Sequence, residues 1–219
     1  MKIAVLCGGL SPERNVSISS GTKIAGALQE SGHQVVLLDM FFGLEDYTGD
    51  IAAIFDNPPA LGGTHIDESA PDLESVRAQR KLRSPSLFGE HVLEVCAMAD
   101  IVFLALHGRT GEDGRVQATF DLMGIPYTGT DYRSSAIAMD KSLSKQLFRM
   151  AGIPTPKGIT AKNGQQIDPA SVPYPCMVKT TCGGSSVGTY RVEKPEDLPQ
   201  ALDDAYSFGD DVIIEQFVS

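Results

Sequence analysis

The sequence predicts an α/β protein, with a doubly wound parallel sheet in its first part and a smaller α+β lobe after it. Two apolar runs, at 2–8 and 33–40, are typical of buried strands, and a helical stretch lies between them. A strand, a helix and a second strand at this spacing form a βαβ unit, which implies a parallel sheet. After the prolines of 151–158 the pattern changes to short strands that flank loops.

The remaining elements follow from local patterns in chain order. The first helix is predicted from about Asn15 to Ser31, with Ser11 as a candidate cap, Pro12 at a favourable first position and Gly32 as the stop. Residues 43–85 carry several turn signals and predict no element. Helices are predicted at 88–100, 115–123, 132–150 with a break at Asp140, and 194–206, and strands at 101–108, 125–129, 175–179, 187–192 and 211–217.

Composition narrows the class of protein. The chain has 219 residues, 42% of them hydrophobic, and a formal net charge of −10, which argues against a protein that mainly binds nucleic acid. No apolar stretch approaches the ~20 residues that cross a bilayer, and the N-terminus does not read as a signal peptide. The four cysteines form no CxxC pair, so we expect free thiols and no metal ligands in this chain. Free thiols, together with the lack of signal and membrane-spanning patterns, lead us to expect a cytoplasmic location.

A glycine-rich loop, "KTTCGGSSVG" at 179–188, lies between two predicted strands. It matches neither the Walker pattern nor the dinucleotide-binding pattern, both of which open a helix. A glycine-rich hairpin can instead fold over phosphates, because its amide groups are not covered by side chains. Lys179 would add a cation at the end of the incoming strand. The alternative from the loop alone is a plain flexible hairpin with a surface lysine.

Two further stretches follow predicted strands at the edge where doubly wound sheets bind ligands. In "CGGLSPERNVSISSG" at 7–21, Glu13 stands near a helix start, where it could either stabilise the helix dipole or pair with a substrate ammonium group. In "LHGRTGEDG" at 106–114, His107 shares a tight loop with several glycines and acidic residues. Such a loop can present an imidazole and backbone donors to one small acid.

Together these stretches resemble the D-alanine–D-alanine ligase family of the ATP-grasp group. The resemblance rests on "GGLSPERNVSISSG", "HGRTGEDGRVQATFDLMGIPYTGT", "SSAIAMDKSLSK" with "AGIPTP", "VKTTCGGSSVG" and "DVIIEQF", in the family's order. It implies a pre-ATP-grasp domain at 1–130 and the small ATP-grasp lobe at 131–219. It also implies ligation of two D-alanines for peptidoglycan synthesis, with ATP and Mg²⁺, through an acyl phosphate, and a homodimer.

The resemblance implies roles for single residues. Glu13 would hold the ammonium group of the first D-alanine, and His107 would lie beside its carboxylate. Ser185 would hydrogen-bond near that subsite and order the flap, so that Glu13 and Ser185 are the implied catalytic residues. The implied nucleotide contacts come from two lysines, two flap serines and the hinge strand: Lys141, Lys179, Ser185, Ser186, Glu215, Gln216 and Val218.

Two departures from the family pattern are visible. Thr180 stands where the family usually has proline, and we expect this change to alter flap stiffness without abolishing ATP binding. The family's further lobe, with its Mg²⁺ ligands, does not follow Ser219. We therefore expect a fragment or a natural short form, and we expect 1–219 alone to be inactive.

Three other functions remain open from the residues. The acceptor could be D-serine or D-lactate, because the family's acceptor loop lies beyond Ser219. A different ATP-grasp ligase would share the flap but not the 7–21 and 106–114 stretches. A non-catalytic binding domain would keep the fold and still bind D-alanine and ATP.

Overall fold

The computed structural model describes residues 1–60, 71–183 and 188–218, and the chain divides into two compact units, 1–133 and 134–219. The helices are α1 (Arg14–Glu30), α2 (Leu73–Gln79), α3 (Val92–Met98), α4 (Arg115–Met123), α5 (Tyr132–Met139), α6 (Lys141–Met150) and α7 (Leu198–Tyr206). The strands are β1 (Lys2–Cys7), β2 (Gln34–Asp39), β3 (Ile101–Leu104), β4 (Gly158–Ala161), β5 (Cys176–Thr180), β6 (Thr189–Val192) and β7 (Val212–Gln216).

The first unit is built on a parallel sheet in the order β2-β1-β3. Alternate residues of its strands point to opposite faces, and both faces are apolar. One face packs against α1, and the other packs against α3 and α4. Helices on both faces of a parallel sheet make the doubly wound arrangement, so this part of the fold prediction is confirmed.

Helix α1 lies very close to β1 at Gly21. A Cβ built on Gly21 would come within 2.5 Å of the Cys7 Cβ and 3.3 Å of a Leu37 methyl group. Only a residue without a side chain therefore fits where the helix crosses the sheet. Gly26, one helical turn and a half further along, would place its Cβ in open space.

The second unit contains an antiparallel sheet in the order β4-β7-β5-β6. Its inner face carries residues such as Val178 and Ile214, which pack under α7. Because side chains alternate along a strand, Lys179 and Glu215 lie on the opposite face. The β5–β6 hairpin confirms that the glycine-rich loop joins two strands, although its residues 184–187 lie outside the described part of the chain.

Several predicted elements differ in their bounds. Helix α1 begins at Arg14, one residue before the predicted start, but its N-cap is Glu13 and not Ser11. Ser11 and Pro12 lie in the turn before the helix, where the Ser11 hydroxyl accepts the Glu13 amide. The predicted strand at 125–129 forms only a single bridge, between Tyr127 and Val102. Strand β4 and helix α2 were not predicted, whereas the break at Asp140 is confirmed, since this carboxylate accepts the amide of Leu143 at 3.0 Å.

All four cysteines are free thiols, as predicted. Three of them, Cys7, Cys96 and Cys176, are buried, while Cys182 is partly exposed. Among the described helices, none is long and apolar enough to cross a membrane.

Candidate active site

In the first unit, the loops that follow β1 and β3 meet at the carboxyl edge of the sheet. The Ser11 hydroxyl, in the loop after β1, donates to the backbone oxygen of His107, in the loop after β3, at 2.8 Å. Strands β1 and β3 are neighbours, with β2 on the far side of β1, so this edge is the point where the strand order reverses. Ligands of doubly wound proteins bind at such points.

Glu13 and His107 are brought together there. A Cβ built on Gly108, next to His107, would lie 2.9 Å from a Glu13 carboxylate oxygen, so the carboxylate sits directly against Gly108. Within the described residues, neither the Glu13 carboxylate nor the His107 imidazole makes a side-chain hydrogen bond. Both groups are partly exposed, and both are therefore available to a small ligand.

The Glu13 loop is anchored by a buried ion pair. Arg14 bonds the Gly9 carbonyl at 2.6 Å, forms a salt bridge with Asp39 at the end of β2, and stacks over the Phe42 ring at 4.9 Å. Asp39 also accepts the Phe41 amide at 2.8 Å. These contacts fix the backbone next to Glu13 without using its carboxylate.

Ser17, on the first turn of α1, joins both loops. Its hydroxyl accepts the Gly8 amide at 2.9 Å and donates to the Ala105 carbonyl at 2.7 Å. Sequence reasoning did not single out Ser17, Arg14 or Asp39, because their partners are distant in the sequence. A polar residue at a buried position of α1 was the available signal for Ser17.

The loop after β3 is closed by two side-chain bonds. Glu112 accepts the Gly108 amide at 2.6 Å, and the Gln117 amide donates to the Gly111 carbonyl at 2.8 Å. Glu112 therefore holds the backbone next to His107.

In the second unit, two lysines share one carboxylate on the face of the sheet opposite α7. Glu215 receives Lys145 at 2.5 Å on one oxygen and Lys179 at 2.6 Å on the other. Burial by itself would raise the pKa of Glu215, but the hydrogen bonds from the two lysines outweigh it and hold that pKa below its usual value. Glu215 is therefore ionised, and the group of three side chains carries one excess positive charge.

Lys141 is a third lysine of this unit, and it contacts the glycine-rich loop. Its ammonium donates to the Gly183 carbonyl at 2.7 Å, and its backbone amide bonds the Thr181 carbonyl at 2.9 Å. Burial lowers the pKa of Lys141, and repulsion from Lys179 acts in the same direction. The start of α6 is thus tied to the strand that leads into the loop.

A cavity of about 370 Å³ opens beside these groups, within the second unit. This volume lies in the range of pockets that hold small ligands. Its walls combine cationic and apolar side chains, which suits a ligand with both an anionic and a flat apolar part. The lining residues are Ala138, Lys141, Ser144, Lys145, Phe148, Thr155, Pro156 and Glu215.

The other predicted residues are placed as follows. Gln216 ends β7, with an exposed side chain and an amide that bonds the Lys157 carbonyl at 2.8 Å. Val218 is exposed just beyond it. Ser185 and Ser186 lie outside the described residues, so the structure leaves these two predictions open. Within the described ranges, no group of three acidic, histidine or cysteine side chains could hold a metal ion.

The fold and these two clusters define a chain with a doubly wound domain followed by a lobe in which a strand hairpin adjoins a cationic pocket. The family model for the D-ala D-ala ligase N-terminus matches residues 2–130, and the model for the D-ala D-ala ligase C-terminus matches residues 147–219. The chain therefore belongs to the D-alanine–D-alanine ligase family, which confirms the resemblance found in its sequence.

Relatives and solved structures agree with this assignment. The D-alanine–D-alanine ligase of Lacticaseibacillus casei is 41% identical over 219 residues, which cover 99% of this chain and 61% of the relative. The ligase of Pediococcus pentosaceus is also 41% identical, over 100% of this chain and 63% of the relative. The chain thus spans less than two thirds of the length of these relatives.

Crystal structures of the Bacillus anthracis D-alanine–D-alanine ligase share the fold. One superimposes with a TM-score of 0.68 at 28% identity, covering 100% of this chain and 58% of that one. A second, of the same ligase complexed with ATP, gives a TM-score of 0.67 at 26% identity and covers 59% of that chain.

Proposed function

We propose that this chain forms part of an enzyme that joins two D-alanines to D-alanyl-D-alanine at the expense of ATP. The observation that supports this most strongly is the cationic cluster of Lys141, Lys179 and Lys145 around Glu215, beside a cavity of about 370 Å³. Lys179 and Glu215 lie within residues 147–219, which the family's C-terminal model matches, and Lys141 and Lys145 lie shortly before that range. Two relatives that carry the ligase name are 41% identical.

The donor set fits a nucleotide polyphosphate. Lys141 and Lys179 would neutralise phosphate oxygens, and Ser185 and Ser186 of the loop would add hydrogen bonds. The apolar wall around Phe148 would cover the base, beside the backbone of Glu215, Gln216 and Val218. We assign Mg²⁺ to the reaction on the family resemblance, but we assign it no ligand among the described residues.

The first unit would hold the amino acid. The Glu13 carboxylate has no internal partner among the described residues, so it is free to receive an ammonium group. Ser185 keeps the catalytic role that the family resemblance implies for it. His107, in the adjoining loop, would lie beside the carboxylate of the same D-alanine. These contacts orient a small zwitterion by its two charges.

The reaction would then proceed in two displacements. A carboxylate oxygen of the first D-alanine attacks the γ-phosphorus of ATP, and ADP leaves. The amine of the second D-alanine attacks the resulting acyl carbon, loses a proton and displaces phosphate. The lysines favour the first displacement because they offset the negative charge that gathers around the phosphates.

The organisation of the molecule forms part of the same proposal. Residues 1–130 would be the pre-ATP-grasp domain and 131–219 the ATP-grasp small lobe. A cytoplasmic location would suit an enzyme that uses ATP and carries reduced thiols. A homodimer is proposed on the family resemblance alone, and light scattering of the purified protein tests it.

The test measures ATP-dependent phosphate release by the full-length protein with D-alanine, L-alanine, D-serine or D-lactate. We expect release with D-alanine and none with L-alanine alone. The Glu13→Gln variant should lose about 10- to 100-fold in kcat/KM for D-alanine, because the ammonium group of the substrate loses its negatively charged acceptor. Glu30→Gln, at the exposed end of the same helix, is the matched control and should behave as the wild type.

Two results would overturn the proposal. One is phosphate release that does not depend on D-alanine. The other is an equal loss in Glu13→Gln and Glu30→Gln, since the effect would then come from the general loss of a negative charge and not from the site. Preferred use of D-serine or D-lactate would retain the mechanism and change the acceptor.

A further inference from the structure

We propose that Lys145 is a positioning residue for nucleotide binding: it neutralises Glu215 permanently, and so leaves Lys179 free to turn from Glu215 to a phosphate. The inference rests on the proposed function, because it takes Lys179 to be a phosphate ligand. Lys145 was not among the residues that the sequence motifs indicated.

The contacts of Lys145 use all of its donors. Its ammonium bonds Glu215 at 2.5 Å, the Thr155 hydroxyl at 2.9 Å and the Pro156 carbonyl at 2.7 Å. A lysine has three N–H groups, so none remains for a ligand. The side chain is only 8% exposed, and α6 and the 155–156 segment hold it from two directions. Lys145 is therefore a fixed counter-ion.

Lys179, by contrast, has donors that are not used inside the described part of the fold. Among the described residues its ammonium has one acceptor, Glu215 at 2.6 Å, and its side chain is 27% exposed. It projects from the end of β5, one residue before the strand gives way to the glycine-rich loop. Lys179 can therefore exchange its carboxylate partner for a ligand oxygen by a rotation of its own side chain.

The need for Lys145 follows from the burial of Glu215, whose side chain is only 10% exposed. A buried carboxylate that loses its sole cation is strongly destabilised. If Lys145 were absent, Lys179 would be that sole cation, and a phosphate would have to compete with Glu215 for it. With Lys145 present, Glu215 stays compensated when Lys179 leaves.

The experiment measures the dissociation constant of ATP by calorimetry, with the full-length protein and no D-alanine. We expect Lys145→Met to weaken ATP binding by about tenfold or more. Without Lys145, Lys179 must either stay with Glu215, so that its contact with the phosphate is lost, or break its ion pair with Glu215 to reach the phosphate. Lys162→Met is the matched control. Lys162 lies in the same unit and pairs with Asp211 at the surface, with 81% of its side chain exposed. This control should bind ATP as the wild type does.

A second variant separates positioning from a merely structural role. Glu215→Gln removes the charge that Lys145 neutralises, so Lys145 should become dispensable in that background. We expect Lys145→Met/Glu215→Gln to bind ATP within about threefold of Glu215→Gln alone. Thermal unfolding of every variant shows that binding is measured on folded protein, and the double variant keeps the test usable should Lys145→Met fail to fold.

The outcomes are distinguishable. If the wild-type protein does not bind ATP, the proposed function fails and this inference fails with it. If the wild type binds and Lys145→Met binds equally well, only the role of Lys145 is overturned. The same holds if the double variant loses as much affinity relative to Glu215→Gln as the single variant loses relative to the wild type.

Discussion

At the scale of single residues, the ionisable side chains fall into two groups. The first group, Arg14, Asp39 and Lys145, makes its hydrogen bonds to other residues inside the fold. Glu13 and Lys179 keep part of theirs available at the surface of a pocket or loop. The first group holds the backbone and charges of the second in place. The residues proposed to bind ligands were accordingly predictable from motifs, while the residues that support them are visible only in three dimensions.

Cys182 should be the first cysteine to react with a thiol reagent in the native protein. Burial raises the pKa of Cys7 and of Cys96 to about 12, so these two carry almost no thiolate at neutral pH. Cys182 is partly exposed in the glycine-rich loop, and its backbone forms a single antiparallel β-bridge with Asp140. Brief maleimide labelling followed by peptide mass spectrometry should find the label on Cys182.

ATP should slow this labelling, because a nucleotide under the loop would restrict access to its first residues. Cys182→Ser removes the fast phase and is the control. Rapid modification of Cys7 or Cys96 under native conditions would contradict the packing described here.

At the scale of elements, the packing of α1 against the sheet depends on one missing side chain. The helix crosses β1 at Gly21, where a methyl group would overlap Cys7. The position of α1, and therefore of Glu13 at its start, is sensitive to volume at this crossing.

Gly21→Ala should destabilise the protein by about 1–3 kcal/mol, since the helix must shift away from the sheet. Gly26→Ala lies on the same helix with open space around it, and should stabilise the protein by roughly 0.5–1 kcal/mol through its helix propensity. Urea unfolding of both variants gives the comparison. Effects of the same sign and size would show that the crossing is looser than the structure indicates.

The sequence predicted elements well where their pattern is local. The helix at 115–123 begins and ends as predicted, because its apolar stripe and its glycine stop are both in the sequence. The stretch at 125–129 was overpredicted, since a strand exists only if a neighbour pairs with it and here Tyr127 alone does so. Strand β4 was missed because its short "GITA" sequence becomes a strand only by pairing with β7.

At the scale of the whole molecule, the chain consists of two compact units, and each unit carries the residues proposed to bind a different ligand. The first unit carries Glu13 and His107, and the second carries the lysines around Glu215. The motifs predicted Glu13, His107, Lys141, Lys179 and Glu215, because short segments keep their residue types together. They did not predict the partnership of Lys145 with Glu215, since 70 positions separate the two along the chain.

Each ligand should protect its own unit from hydrogen exchange. D-Alanine should slow exchange in 8–14 and 105–114 of the first unit, and ATP should slow exchange in α6, β5 and β7 of the second. Exchange of the full-length protein, read by peptide mass spectrometry with each ligand alone, makes the comparison. Protection by ATP confined to 1–133 would contradict the assignment of the nucleotide to the lysine cluster.

Gly8 and Asp39 impose a joint constraint on how this protein can change over time. Gly8 has a φ of +70°, and any side chain there would overlap the Asp39 carboxylate. A new side chain at position 8 would thus displace the Asp39 carboxylate from its salt bridge with Arg14. The loop that carries the neighbouring Glu13 would then lose its anchor. Position 8 should therefore accept only glycine. A smaller residue at position 39 would remove the overlap, but it would leave the strain of the positive φ and would break the ion pair with Arg14.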